Sequence, residues 1–345
     1  MFQVSIYDIE NILSDYGVLS KPVSFAELQR YDYKQNDAKS KEVRLIIKVE
    51  LSDGMPLVVR FKNEHDVTLE LIDKQSEFAE LLLKSGIPTP MQYQSVGHFV
   101  RQYVINGYEV MVTVEEYVDG EIKCVELELA KKTGRLLART HAIAQQNHFH
   151  VRNKVLFDAF DENDLFSVHA FSALEDQIQD EDKYLFQSIM EKYREYMKNL
   201  EPLKKEPRYA VQGDISNCNL YLTANGDVGL FDFNRCGDNS LYCDAVMQGV
   251  FEVRLMDYPE EHTKADESVY LTAFLEGYQE IRPFTDVQKN MFPYLQAIIS
   301  AFWSADIIWN NNSLKNEVKK GNHTAVRKWL EVIYERIKLS QDKVI

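Results

Sequence analysis

A short β-rich run inside a mostly helical stretch constrains this chain more than any other feature. Residues 208–233 contain Tyr209-Ala210-Val211, Leu220-Tyr221-Leu222 and Val228-Gly229-Leu230-Phe231. The last two runs flank Asn225-Gly226, a dipeptide favoured in two-residue type I′ hairpin turns. Such a turn sets Leu220 opposite Phe231 and Asn219 opposite Asp232. Side chains directly across an antiparallel pair lie on one face, with Cβ atoms about 4.5–5.5 Å apart. An amide oxygen and a carboxylate held that way suit Mg²⁺, which takes oxygen ligands and combines one or two carboxylates with substrate phosphates. Asp214 stands five residues before Asn219, on the loop entering the hairpin. Asp-x-x-x-x-Asn followed by a second Asp is a phosphotransfer pattern. One Asp serves the acceptor hydroxyl, and the Asn and second Asp hold metal on nucleotide phosphates. The plainer alternative is a surface hairpin whose Asp and Asn serve local turns.

The segments before this run predict an α+β architecture. Ile6 to Tyr16 has helical apolar spacing and stops at Gly17. Strands are expected at residues 43–49 and 57–62, joined through Ser52-Asp53-Gly54. A helix through Leu69, Ile72, Phe78, Leu81 and Leu82 ends at Gly86, and Pro88 and Pro90 follow. Another strand covers residues 110–114. Helices are expected from Leu127 to Ala144 and across residues 170–200 and 265–340. The division falls near Glu116 to Gly120. It gives a small antiparallel-sheet lobe over residues 1–116 and a larger, mainly helical lobe over residues 117–345.

Composition narrows the partners. The chain has 345 residues and a formal charge of −15, which disfavours the phosphate backbone of nucleic acid. No run approaches the roughly 20 apolar residues of a membrane span, and Met1 to Asp8 lacks the features of a signal peptide. Four cysteines in a chain of this length form no disulfide framework and point to a reducing, cytoplasmic setting.

Gln212-Gly213-Asp214-Ile215-Ser216-Asn217-Cys218-Asn219-Leu220-Tyr221-Leu222 resembles the catalytic loop of the aminoglycoside phosphotransferase and choline kinase superfamily. Gly229-Leu230-Phe231-Asp232-Phe233, with Gly237-Asp238 and Asp244 after it, resembles the family's metal segment. Val58-Val59-Arg60-Phe61 looks like the strand that carries the phosphate-contacting base, and residues 75–82 look like the helix that carries its ion-pair Glu. Val114-Glu115-Glu116-Tyr117-Val118-Asp119-Gly120 looks like the hinge, and residues 134–142 look like the helix beneath the catalytic loop. The hairpin and the segment after it have some likeness to the homoserine kinase type II branch.

The resemblance implies a bilobal protein-kinase-like fold. It implies a Mg²⁺-dependent kinase that moves the γ-phosphate of ATP or GTP to a hydroxyl of a small polar molecule, with an amine-bearing acceptor as the candidate. Asp214 is the implied base, and Asn219 and Asp232 the implied metal ligands. Arg60 is implied to contact phosphates and pair with Glu77, with Lys62 on the same strand face as the other candidate. Glu115, Glu116, Tyr117 and Val118 are implied to receive the adenine, chiefly through backbone groups. Asp238, Glu252 and Asp257 are candidate acceptor contacts. Glu252 and Asp257 belong with Glu260 and Glu261 to an acidic group that suits either an ammonium ligand or solvent.

Three positions depart from the family pattern: Gln212 replaces the usual His, Arg60 replaces Lys, and the loop at residues 35–41 has no glycine. They motivate the alternative of a nucleotide- or metabolite-binding pseudokinase without turnover. His141 lies on an apolar helix face and reads as a core histidine. Cys236 and Cys243 read as packing rather than as a zinc pair.

Overall fold

The computed structural model describes residues 1–31, 42–120, 122, 125–161, 166–255 and 267–338, apart from the side chains of residues 252, 254, 255 and 267. The glycine-free loop at 35–41, Asp257, Glu260, Glu261 and the side chain of Glu252 lie outside them.

Two compact units are present: Met1–Glu121 with Leu220–Asn234, and Ile122–Asn219 with Arg235–Ile345. The first opens with helix α1 (Ile6–Asp15), capped by reciprocal Ser5 and Asp8 bonds. Gly17 ends it at φ +72°. Five antiparallel strands follow: β1 (Pro22–Tyr31), β2 (Val43–Leu51), β3 (Leu57–Asn63), and, after helix α2 (Leu69–Lys84), β4 (Val100–Ile105) and β5 (Tyr108–Glu116). Their spatial order is β1-β2-β3-β5-β4. The sequence reading missed both edge strands. In β1, register shifts at Pro22/Ser24 and Glu27/Gln29 break the period-two pattern on which strand recognition depends.

Alternation along β3 sorts its side chains. Leu57, Val59 and Phe61 join Ile9, Ile12 and Leu13 of α1 in one core cluster. Arg60 and Lys62 project from the other face, as their spacing predicts.

The second unit is mainly helical. Helix α3 (Leu127–Gln146) is followed by the short α4 (Val168–Ser172), α5 (Asp180–Asn199) and strand β6 (Arg208–Val211). Along the chain the hairpin β7 (Leu220–Leu222) and β8 (Val228–Leu230), part of the first unit, comes next, and the second unit resumes with β9 (Gly237–Ser240), which pairs with β6. Helices α6 (Leu241–Leu255), α7 (Glu267–Gln279), α8 (Asp286–Ala301), α9 (Leu314–Lys320) and α10 (His323–Ile337) complete it. Helices α3 and α7 meet backbone to backbone. A Cβ on Gly134 would lie 1.9 Å from the Phe274 carbonyl oxygen, and one on Gly277 would lie 2.0 Å from that of Lys131. No helix among the described residues is long and apolar enough to cross a membrane.

The hairpin belongs to the sheet unit, not to the contiguous second lobe that the sequence suggested. Leu222 N–H donates to Gly120 O at 2.9 Å, and Leu230 N–H donates to Pro88 O at 3.0 Å. The Phe233 ring meets Phe78 edge-on at 6.0 Å.

Its register also differs from expectation by one residue. Leu220 pairs with Leu230, Tyr221 with Gly229 and Leu222 with Val228. A type I′ turn needs positive φ at both central residues, and of Asn225 and Gly226 only Gly226 has it, at +77°. Thr223 O accepts from Gly226 N–H at 2.9 Å and Thr223 N–H donates to Asp227 O at 2.9 Å. The Thr223 hydroxyl also takes the Asp227 N–H at 3.1 Å. The result is a three-residue loop, a type I turn followed by a left-handed glycine.

Candidate active site

The ladder stops at Leu220–Leu230, so it does not set Asn219 opposite Asp232 as the sequence register implied. Each is positioned locally. Asn219 closes a 3₁₀ turn over Asn217–Asn219. Its Nδ2 donates to Asp214 O at 2.8 Å and to Asp214 Oδ2 at 3.0 Å. These bonds use the amide nitrogen, so Oδ1 is the atom of Asn219 that could serve as a metal ligand. Asp232 has φ +58°, the left-handed region that Asp tolerates better than most residues. Its Oδ1 accepts from Asn234 N–H at 3.1 Å, an Asx turn.

The loop carrying Asp214 is braced from inside the helical unit. Gln212 is fully buried, and its Oε1 accepts from Asp214 N–H at 2.8 Å. Ile215 N–H donates to Gln248 Oε1 at 3.0 Å, and Gln248 Nε2 donates to Asp244 Oδ1 at 3.2 Å. Asp244 Oδ2 lies 3.0 Å from His141 Nε2, and His141 Nδ1 lies 2.9 Å from Tyr278 Oη. His141, Asp244 and Gln248 have no exposed surface. His141 is therefore a core group, as expected, and burial pushes its imidazole pKa down against the opposing pull of Asp244. Gln248 makes the contact with the loop backbone, and Asp244 holds Gln248 from behind.

On the sheet unit, Arg60 does not pair with Glu77. Glu77 lies 2.6 Å from Lys74, with 42% of its side chain exposed. Arg60 Nε and Nη2 both reach Glu115 Oε1 at 2.7 Å, and Nη1 lies 3.5 Å from Asp232 Oδ2. The α2 residues that line the recess with Arg60 are Ile72, Gln75, Ser76 and Ala79, and none is a carboxylate. Lys62 Nζ lies 3.1 Å from Asn234 Oδ1 and 3.2 Å from Glu64. Burial lowers the Lys62 ammonium pKa. Burial pushes the Asp232 carboxyl up, but Arg60, the Asn234 N–H, Arg44 and Lys62 outweigh it and hold the group below the usual carboxylate range.

Of the expected hinge residues, Glu115 turns its side chain to Arg60, a role the sequence reading missed. Glu116 N–H donates to Met91 O at 2.9 Å, and Tyr117 N–H donates to Pro56 O at 3.1 Å. Lys48 Nζ lies 4.3 Å above the Tyr117 ring. Val118 is half-buried beyond the end of β5. Asp238 accepts from Val151 N–H at 2.8 Å and lies 3.2 Å from His150 Nδ1. Cys236 and Cys243 are buried, which pushes both thiol pKa values up, that of Cys243 to about 12.

Solved structures share this fold over nearly the whole chain. An aminopropanol kinase associated with a microcompartment matches with a TM-score of 0.62 and 13% identity, covering 97% of this chain and 100% of that one. The amicoumacin kinase hAmiN, in complex with AMP-PNP, Ca²⁺ and Ami, matches at 0.60 and 14%, covering 97% and 96%. The spectinomycin phosphotransferase APH(9)-Ia, in complex with ADP and spectinomycin, matches at 0.52 and 12%, covering 97% and 100%. No curated protein matches by sequence. The family model described as the phosphotransferase enzyme family, APH, matches residues 44–284, from β2 through the Asp214–Asn219 loop and past α7. With the Asp214–Asn219 loop and Asp232 inside that span, the chain belongs to the phosphotransferase enzyme family and has its kinase-like α+β fold.

Proposed function

We propose that this protein transfers the γ-phosphoryl group of ATP or GTP to a hydroxyl of a small polar molecule. The observation that carries the reading is the clamp of Asn219 Nδ2 on both the backbone and side-chain oxygens of Asp214. It fixes one carboxylate beside an amide whose oxygen remains for a cation. In the reaction, the acceptor oxygen bonds to the γ-phosphorus, the bond to the β–γ bridging oxygen breaks, and Asp214 receives the hydroxyl proton. Arg60 and Lys62 contribute positive charge toward the phosphates.

The residues fit Mg²⁺. Asp232 is held ionised, and Asn219 offers an amide oxygen, so both donors are hard oxygens. When bound, Mg²⁺ neutralises charge developing on the phosphates. The net charge of −15 favours an amine-bearing acceptor over an anionic one.

A nucleotide-binding module without turnover is the second reading. The observation favouring it is Arg60 held by two carboxylates. One variant separates the two. Asp214→Asn is expected to lower turnover by about 10²–10⁴-fold, the range for removing a general base, with nucleotide affinity within about two-fold. Turnover near wild type in a folded variant excludes Asp214 as base. Nucleotide binding by the wild type, with no turnover on any hydroxyl acceptor, supports the module.

A further inference from the structure

We infer that Glu115, on the neighbouring strand β5, is the positioning carboxylate for the phosphate-contacting cation Arg60. The inference rests on the phosphotransfer reading and adds a residue role to it.

The geometry is a side-on clamp. Glu115 Oε1 accepts from both Nε and Nη2 of Arg60 at 2.7 Å, while Glu115 Oε2 accepts from Gln92 Nε2 at 2.9 Å. Both carboxylate oxygens are therefore engaged, and neither partner is more than 16% exposed at its side chain. Register explains the reach. Arg60 pairs with Thr113, and Glu115 is two residues further along β5 on the same face. The helix offers no rival, because Gln75 and Ser76 line the recess and Glu77 is paired with Lys74.

The clamp also explains why the cation is arginine. A guanidinium has five N–H donors in a planar fork. Its Nε–Nη2 edge is occupied by Glu115, and its Nη1 end points toward Asp232. With Asp232 holding a metal, Nη1 would be the end available to a phosphate oxygen, while Glu115 would keep the fork in place. A lysine ammonium is a point charge without a second edge. An ion pair within one sheet also fixes Arg60 whatever the position of α2.

The test is a double-mutant cycle of Glu115→Gln and Arg60→Lys, with Glu77→Gln alongside. Nucleotide affinity and the separate KM values for nucleotide and acceptor are measured with Mg²⁺. Glu115→Gln is expected to weaken nucleotide affinity and raise nucleotide KM by about 10- to 100-fold, the range for losing a group that orients a ligand-binding residue. Acceptor KM should stay within about two-fold, a split that general loss of structure does not produce. In the Arg60→Lys background, Glu115→Gln should cost less than about three-fold. Glu77→Gln should change affinity by less than about two-fold. Gln92→Leu, which leaves the Arg60 contact intact, serves if Glu115→Gln does not fold. It is expected to raise nucleotide KM alone, by a smaller factor. Unchanged nucleotide KM in both Glu115→Gln and Gln92→Leu, or a Glu77→Gln loss as large as that of Glu115→Gln, overturns the inference. A wild type without any Mg²⁺-dependent nucleotide binding overturns the phosphotransfer reading itself.

Discussion

His141 shows how one buried side chain ties solution pH to the loop that carries Asp214. Its imidazole faces Asp244 from α6 and Tyr278 from α7, with the positive charge of Arg282 nearby. Burial and Arg282 hold it neutral against the pull of Asp244, so its pKa in the fold lies below the usual value of about 6.5. The unfolded chain takes up a proton through that value and the folded chain does not. Stability is therefore fully present above about pH 6.5 and declines as pH falls below it. Asp232 adds the same sign at lower pH, because its carboxyl is held below the usual range of about 3.9. Thermal melting from pH 7.5 to 5 should fall through the histidine window, and His141→Gln should flatten that slope. An equal slope in the variant assigns the effect to another group. Little of this network was legible in the sequence. Gln212 was legible only as a departure from the usual His and Gln248 carried no signal, and only the fold shows that each supplies an oxygen to a loop N–H.

Two glycine positions contrast local strain with close packing. Gly226 has φ +77° but open space around its Cβ position, so Gly226→Ala meets only backbone strain of about 1–2 kcal/mol. At Gly134 an added Cβ would lie 1.9 Å from the Phe274 carbonyl oxygen, a rigid backbone atom of α7. Helices α3 and α7 must then separate, and α3 carries His141. Overpacking of this kind costs typically 1–3 kcal/mol and occasionally more, so Gly134→Ala should cost more than Gly226→Ala in urea unfolding. A reversed order would mean that the helices separate with little loss of packing. The sequence located both elements, because helical periodicity and an Asn-Gly pair are local signals. It misjudged the hairpin register because Thr223 supplies a third closing bond, and a threonine hydroxyl has no period to read. The Arg60–Glu115 pair was hidden for a related reason. Strand pairing between β3 and β5 brings them together across 55 residues of sequence.

At the scale of the whole molecule, the sheet unit is assembled from two separate stretches of chain, and the second of them carries Asp232. The division at Glu116 to Gly120, read from the order of expected strands and helices, tracks where strands give way to helices along the chain. It is blind to Leu220–Asn234 joining the sheet unit, because the bonds to Gly120 and Pro88 that hold the hairpin there are backbone bonds without sequence specificity. Nucleotide binding at Arg60 and Asp232 should therefore stabilise the unit that contains both. A ligand at 100 times its dissociation constant adds about 2.7 kcal/mol. ATP or GTP with Mg²⁺ should raise the melting temperature measurably, and removing the metal with EDTA should remove most of the rise. Asp232→Asn keeps the side-chain shape and the left-handed backbone that Asn also tolerates, so the variant should fold. It should lose the Mg²⁺-dependent part of the shift while keeping any metal-free part that Arg60 and Lys62 provide. If the metal dependence survives in Asp232→Asn, the cation is held elsewhere. If the shift is lost with and without metal, Asp232 serves chiefly to place Arg60 rather than to bind Mg²⁺.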